Sequence, residues 1–154
     1  MPREIATLCR RKFHVTGQVQ GVGFRPFVFR LACEGGLTGW VANDGRGVQI
    51  EAQGPRPAIE QFSRRLQTQA PPLASIATCL VDDIAALSGE ASFEIHPSAV
   101  GEIADAQVTV DTATCPDCLR ELADPADPRF RYPFINCTNC GPRYTIIERI
   151  PYDR

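Results

Sequence analysis

Lysine is nearly missing from this chain: Lys12 is the only one, so the 16 basic side chains set against 18 acidic ones are otherwise arginines. Arginine stays charged at any working pH and presents a planar fork of donors suited to carboxylate and phosphate oxygens. An excess of either charge is missing as well. With a formal net charge of −2 there is no global electrostatic pull toward nucleic acid or an anionic membrane surface, and neither is expected as a partner. No apolar run approaches the roughly 18–20 residues that a membrane-spanning helix needs. Arg10-Arg11 is followed by Lys12-Phe13-His14-Val15-Thr16 rather than by an apolar stretch, which argues against an export signal. These absences point to a cytoplasmic protein. In that reducing compartment its seven cysteines are more often metal ligands or catalytic groups than disulfides.

Apolar periodicity divides the chain. Arg11-Lys12-Phe13-His14-Val15-Thr16 alternates polar with apolar, as a half-buried strand does. Gly17 to Gly23 is a glycine-punctuated loop. Phe24, Phe27, Val28 and Leu31 then recur at i, i+3, i+4 and i+7, one face of a helix that Gly35-Gly36 ends. Pro26 falls in its first turn, where a missing N–H costs little. Leu37–Ala42 and Gly47–Gln53 read as strands joined by the hairpin signal Asn43-Asp44-Gly45-Arg46. Ile59, Phe62 and Leu66 mark a second amphipathic helix, stopped by Pro71-Pro72. Ile76–Val81 and Phe93–Ile95 complete the set as strands.

The resulting order, β-α-β-β-α-β with room for a short extra strand, is the split βαβ or ferredoxin-like pattern. It predicts an α+β sandwich with both helices on one face of an antiparallel sheet. Residues 1–96 suffice for one such core. Residues 97–114 read as a linker with one short strand at Gln107-Val108-Thr109-Val110. Residues 115–154 read as loop-rich, because Pro116, Pro125, Pro128, Pro133 and Pro142 interrupt regular elements. A segment with so few periodic apolar residues needs something other than a core to order it.

Two motifs carry chemistry. In Gly17-Gln18-Val19-Gln20-Gly21-Val22-Gly23-Phe24-Arg25, glycines let successive N–H groups converge, and the helix start adds donors and the positive end of its dipole. An oxyanion is the natural occupant, and Arg25, one residue into the helix, can add a bidentate contact to a phosphate. A dinucleotide fingerprint would need glycine at Pro26, and a P-loop would need Gly-Lys-Ser/Thr; neither is present. Taken alone, the loop is equally a plain strand-to-helix turn, and Asn43 a turn-forming asparagine. The second motif is Cys115-Pro116-Asp117-Cys118 and Cys137-Thr138-Asn139-Cys140, two CxxC units 18 residues apart. Short CxxC spacing lets two thiolates take adjacent corners of a tetrahedron, so this is a four-cysteine zinc pattern, the alternatives being a redox pair or four unrelated thiols. Zinc would supply the missing ordering energy.

Val19-Gln20-Gly21-Val22-Gly23-Phe24-Arg25 resembles the signature of the acylphosphatase family, and Gly39-Trp40-Val41-Ala42-Asn43 resembles that family's second signature, each at the right place in a βαββαβ chain. The resemblance implies that the backbone amides of Gln20, Gly21, Val22, Gly23 and Phe24 and the guanidinium of Arg25 bind the phosphate of an acyl phosphate. It implies that Asn43 orients the attacking water, and that no cofactor is needed for this step. Thr114-Cys115-Pro116-Asp117-Cys118-Leu119, Arg131 to Arg143 and Pro151-Tyr152-Asp153-Arg154 are similar to the zinc region of the hydrogenase-maturation carbamoyltransferases, which follows an acylphosphatase-like head. That family uses carbamoyl phosphate and ATP to make a carbamoyl adenylate and loads the C-terminal cysteine of a maturation partner; the group becomes a cyanide ligand of a nickel–iron centre.

The resemblance further implies that a later zinc half and the nucleotide-binding and transferase domains lie outside these 154 residues, leaving hydrolysis of the acyl phosphate as the step expected of this chain. Cys115, Cys118, Cys137 and Cys140 close one structural zinc site if adjacent pairs combine, and are incomplete if they cross with the later half. A competing reading is a non-catalytic module that captures carbamoyl phosphate or a partner. Of the remaining residues, His14 is expected to be solvated or satisfied, and His96 to mark a domain edge. Cys33 and Cys79 read as small core residues, Trp40 as core, and Arg64-Arg65 as a solvated helix face.

Overall fold

The structure, a computed structural model, describes residues 8–98 and 113–135. Strand β1 (Leu8–Gln18) leads into helix α1 (Phe24–Glu34), the hairpin β2 (Thr38–Asn43) and β3 (Val48–Pro55), helix α2 (Arg56–Thr68), strand β4 (Ser75–Ile84) and the short β5 (Phe93–Ile95). The strands lie in the order β4-β1-β3-β2-β5, antiparallel throughout except where β5 joins β2 in parallel. This is the expected α+β sandwich, with β5 as the extra strand.

Period-two alternation decides which face is covered. Phe13 and Val15 of β1, Val41 of β2, and Val48, Ile50 and Ala52 of β3 are buried together with Phe24, Phe27, Val28 and Leu31 of α1 and Ile59, Phe62 and Leu66 of α2. Each such side chain contributes roughly 1.5–3 kcal/mol on leaving water. Phe13 meets Phe62 edge-on, ring centroids 5.5 Å apart, and so fixes α2 over β1. Helix α1 ends as its glycines predict: the Leu37 amide donates to the Ala32 carbonyl at 2.9 Å while Gly36 takes a φ of 61°. In β2, Gly39 has a φ of 136°, and a Cβ there would lie 1.9 Å from the Glu51 carbonyl oxygen, so only glycine lets β2 approach β3 this closely.

On the opposite face a charged cluster replaces apolar packing. Arg10 is 2% exposed. Its guanidinium donates to Glu51 from Nε at 3.1 Å and Nη2 at 2.8 Å, and to Glu90 from Nη1 at 2.7 Å. Gln53, paired across from Arg10, donates to the Leu87 carbonyl at 2.8 Å and accepts from the Leu87 amide at 2.7 Å. The β4–β5 connection is thereby strapped across β1 and β3. Burial pushes the Glu90 carboxyl up, but hydrogen bonds from Arg10 and Thr38 outweigh it and hold the group below its ordinary value.

Several expectations are revised. Trp40 is not core: it is half-buried on the charged face and stacks on His96, centroids 5.4 Å apart and planes 3° from parallel. Cys33 is exposed on α1, one position beyond the buried Ala32, whereas Cys79 packs against the core edge. Arg64 is exposed as expected, while Arg65, half-buried beside it, donates to Glu34 at 2.7 Å and so ties α2 to α1 at the surface. The cysteine segment opens with a two-turn helix, α3 (Pro116–Ala123), because Pro116 stands at the start of a helix, where it is tolerated. The strand expected at Gln107 to Val110 and the cysteines Cys137 and Cys140 lie outside the described residues.

Replacing Arg10 by alanine leaves Glu51 and Glu90 without their common cation and is expected to cost about 3 kcal/mol in urea unfolding at pH 7. Glu90's folded pKa is depressed, so the stability its ionised form adds is complete above the ordinary carboxylate range and is lost as pH falls below that range through the depressed folded pKa. The gap between Arg10→Ala and the unmodified protein should therefore narrow below about pH 4. A gap independent of pH would contradict this account.

Candidate functional site

Beyond Gln18 the chain turns through residues 19–23 into α1. Gly21 and Gly23 have φ of 69° and 76°, in the left-handed region that other residues enter at a cost. Gly23 is the residue from which α1 starts, its carbonyl accepting from the Phe27 amide at 3.1 Å. Val19, Val22 and Phe24 are buried at 1%, 0% and 1% exposure. The apolar side chains of the loop thus serve the core, and what the loop has left for a ligand is backbone. The first turn of a helix lacks intrahelical acceptors for its N–H groups and carries the positive dipole end, so this corner suits an anion. Arg25 follows, half-buried, in that first turn.

A second wall comes from the β2–β3 turn. Asn43, the last residue of β2 and 1% exposed, pairs with Val48, which pairs in turn with Val15. One row across three strands therefore holds Asn43 at the end of the sheet where β1 gives way to the glycine loop. Within the turn the Asp44 amide donates to the Gly47 carbonyl at 3.0 Å. The Asp44 carboxylate accepts from the amides of Arg46 and Gly47, both at 2.8 Å, and from Gln49 Nε2 at 2.6 Å, with His14 Nε2 3.4 Å away. Burial pushes this carboxyl up, yet those hydrogen bonds and the nearby imidazole hold it below the usual carboxylate range.

Loop and turn are joined by Gln20. Its side chain, 2% exposed, donates from Nε2 to the Asp44 carbonyl at 2.7 Å and to the Gly47 carbonyl at 2.8 Å. Gln20, Gly21, Val22, Gly23, Phe24 and Arg25 therefore form one wall, and the turn that begins after Asn43 forms the other. Sequence reasoning missed Asp44, Gln49 and the use of Gln20's side chain. Two signals were present: an aspartate before a turn glycine, which tends to accept from backbone two residues on, and a carboxamide between two core valines, which must find buried partners.

For the metal motif, Cys115 caps α3 and Cys118 lies within its first turn. Cys118 is fully buried and packs with Ile135, and Cys115 and Leu122 pack against that pair. A helix N-terminus favours the thiolate that zinc requires, and two cysteines on one turn supply adjacent ligands, so this half of the donor set fits zinc. Ile135 stands two positions before Cys137 in the sequence. Among the described residues, which do not include Cys137 and Cys140, no group of three or more metal-binding side chains assembles. Among the same residues no helix is long and apolar enough to cross a membrane.

Comparison with known proteins agrees with both motifs. The acylphosphatase family matches residues 11–95 and the HypF finger family matches residues 114–147. Carbamoyltransferase HypF2 of Cupriavidus necator is 52% identical over 99% of this chain and 19% of its own length. The acylphosphatase of Koribacter versatilis is 41% identical over 56% of this chain and 78% of its own. A crystal structure of full-length HypF in a phosphate- and nucleotide-bound form superposes with a TM-score of 0.88 at 44% identity, covering 97% of this chain and 20% of that one. The acylphosphatase of Bacillus subtilis gives 0.54 at 36% identity, over 58% of this chain and 99% of its own. The chain spans about a fifth of the length of the HypF relatives it matches. A glycine loop and an asparagine turn at one end of a β4-β1-β3-β2-β5 sheet, continued by a HypF finger, make this chain a member of the acylphosphatase family, matching the N-terminal part of the HypF carbamoyltransferases.

Proposed function

We propose that residues 1–96 hydrolyse an acyl phosphate, with carbamoyl phosphate as the substrate. The phosphate would lie over the amides of Gln20 to Phe24, where the helix dipole and Arg25's planar fork neutralise its oxygens. Asn43 would hold a water in line with the bond between phosphorus and the bridging oxygen. Water attacks phosphorus, that bond breaks, and carbamate departs with the electron pair while inorganic phosphate keeps the new oxygen. Such a transfer needs positioning and charge stabilisation more than a side-chain base, which suits a site made of backbone, one arginine and one amide. The observation that supports this reading most is the meeting of a left-handed glycine loop with the turn that follows Asn43, joined through Gln20.

Residues 97–114 act as a linker and residues 115–154 as a zinc-ordered segment, with Cys115, Cys118, Cys137 and Cys140 as the ligands and zinc in a structural role. In a full-length carbamoyltransferase the head would release carbamate for activation by ATP, and the carbamoyl group would pass to the C-terminal cysteine of a cytoplasmic maturation partner as the precursor of a cyanide ligand.

Phosphate release from carbamoyl phosphate tests the hydrolytic reading. Arg25→Ala is expected to lower kcat/KM by roughly 10²–10³, the loss typical of a transition-state donor. Asn43→Ala should lower kcat while affinity for inorganic phosphate holds. A folded chain that binds phosphate without turnover would make the head a capture module instead. For the second segment, metal analysis should find about one zinc per chain, lost in Cys137→Ser. A folded chain with no zinc would show that these cysteines need partners from elsewhere.

A further inference from the structure

We propose that Gln20 is a positioning residue that couples the phosphate loop to Asn43, a role that deepens the hydrolytic reading and rests on it for its kinetic consequences. A carboxamide carries two donors on one nitrogen. Gln20 directs them at two carbonyls of one turn, Asp44 at 2.7 Å and Gly47 at 2.8 Å. Asp44 is bonded directly to Asn43, so any displacement of the Asp44 peptide displaces the amide that would aim the water.

Both ends of this brace are stiff. On the loop side Gln20 stands between Val19 and Val22, which are 1% and 0% exposed. On the turn side the Asp44 carboxylate holds the Arg46 and Gly47 amides and Gln49, and His14 Nε2 faces it at 3.4 Å. Gln20's side chain is turned toward the turn, so its part in hydrolysis is to hold Asn43 in register with the loop rather than to touch substrate. Displacements of about 1 Å at a reacting centre can cost on the order of 10²-fold in rate, which sets the scale of the expected effect.

Gln20→Met keeps the side chain's length and volume and removes both donors. In the full chain, kcat for carbamoyl phosphate should fall roughly 30-fold while the dissociation constant of inorganic phosphate stays within about threefold. In an Asn43→Ala background the same substitution should slow the reaction by no more than about threefold, because the brace acts through Asn43. Equal losses in both backgrounds would overturn the proposal, and so would a loss of phosphate affinity that parallels kcat, the mark of a loop that has merely collapsed. Titration with inorganic phosphate followed by NMR reads the coupling without turnover. The Asn43 side-chain amide should shift in the unmodified protein and not in Gln20→Met, while the Gly21 and Gly23 amides respond in both. A chain that shows this pattern but hydrolyses nothing loses the hydrolytic reading and keeps the brace. A hydrolysing chain whose Asn43 signal ignores phosphate loses the brace alone. Should Gln20→Met not fold, Gln20→Asn, with the carboxamide drawn back by one methylene, takes its place in both measurements.

Discussion

Once Val15 lies opposite Val48, and Val48 opposite Asn43, most of the remaining geometry has no freedom left. Strand periodicity is two, so this register sends Phe13, Val15, Val48 and Ile50 under the helices and Arg10, His14, Gln49 and Glu51 to the other face. A slip by one residue would exchange the two sets and expose the core. The same row decides where chemistry can occur. β1 continues only to Gln18 before the glycine loop begins, and β2 stops at Asn43, so loop and turn emerge side by side at one end of the sheet.

Two polar clusters finish what the register begins. The Arg10 cluster and the Asp44–Gln20 cluster stand near opposite ends of β1; Arg10 and Val15 are five positions apart, about 17 Å along an extended strand. They use the same physics for different ends. Around Arg10, two carboxylates and a glutamine strap the β4–β5 connection over the face opposite α1 and α2. Around Asp44 two backbone amides and the Gln49 side chain donate to one carboxylate, which freezes a turn rather than covering a surface. Buried polar groups must be paired whatever their purpose. What distinguishes the second cluster is the element that it joins to the first wall of the site.

The two described stretches of the chain differ in how much apolar packing they contain. Residues 8–95 bury apolar side chains from four strands and two helices in one continuous core. Around α3 the comparable cluster among the described residues contains Cys118 and Ile135, with Cys115 and Leu122 against them. Two of those four are the cysteines of a CxxC unit. With the zinc ligation proposed above, packing and metal binding in this segment would be a single event.

Helices, strands and their order were legible in the sequence because each follows from local periodicity and from glycine and proline at the ends: Phe24 to Leu31 spells α1, Ile59 to Leu66 spells α2, and the alternation from Val48 to Gln53 spells β3. The loop glycines, Arg25, Asn43 and the CxxC pairs stood out in the sequence by residue type and short spacing and by the family resemblance that those strings carry. Trp40 and Cys33 were misread, because whether a given position faces a core or a charged cluster depends on what packs against it from elsewhere in the chain. Arg10 with Glu90, and Gln20 with Asp44 and Gly47, were not legible at all. These bonds join residues between 24 and 80 positions apart, and no pattern within one element records them. Sequence alone determined which groups are available and in what order they occur. Only the tertiary structure decided which of them meet, because a hydrogen bond depends on separation in space, and distant residues reach that separation only once the sheet has set its register.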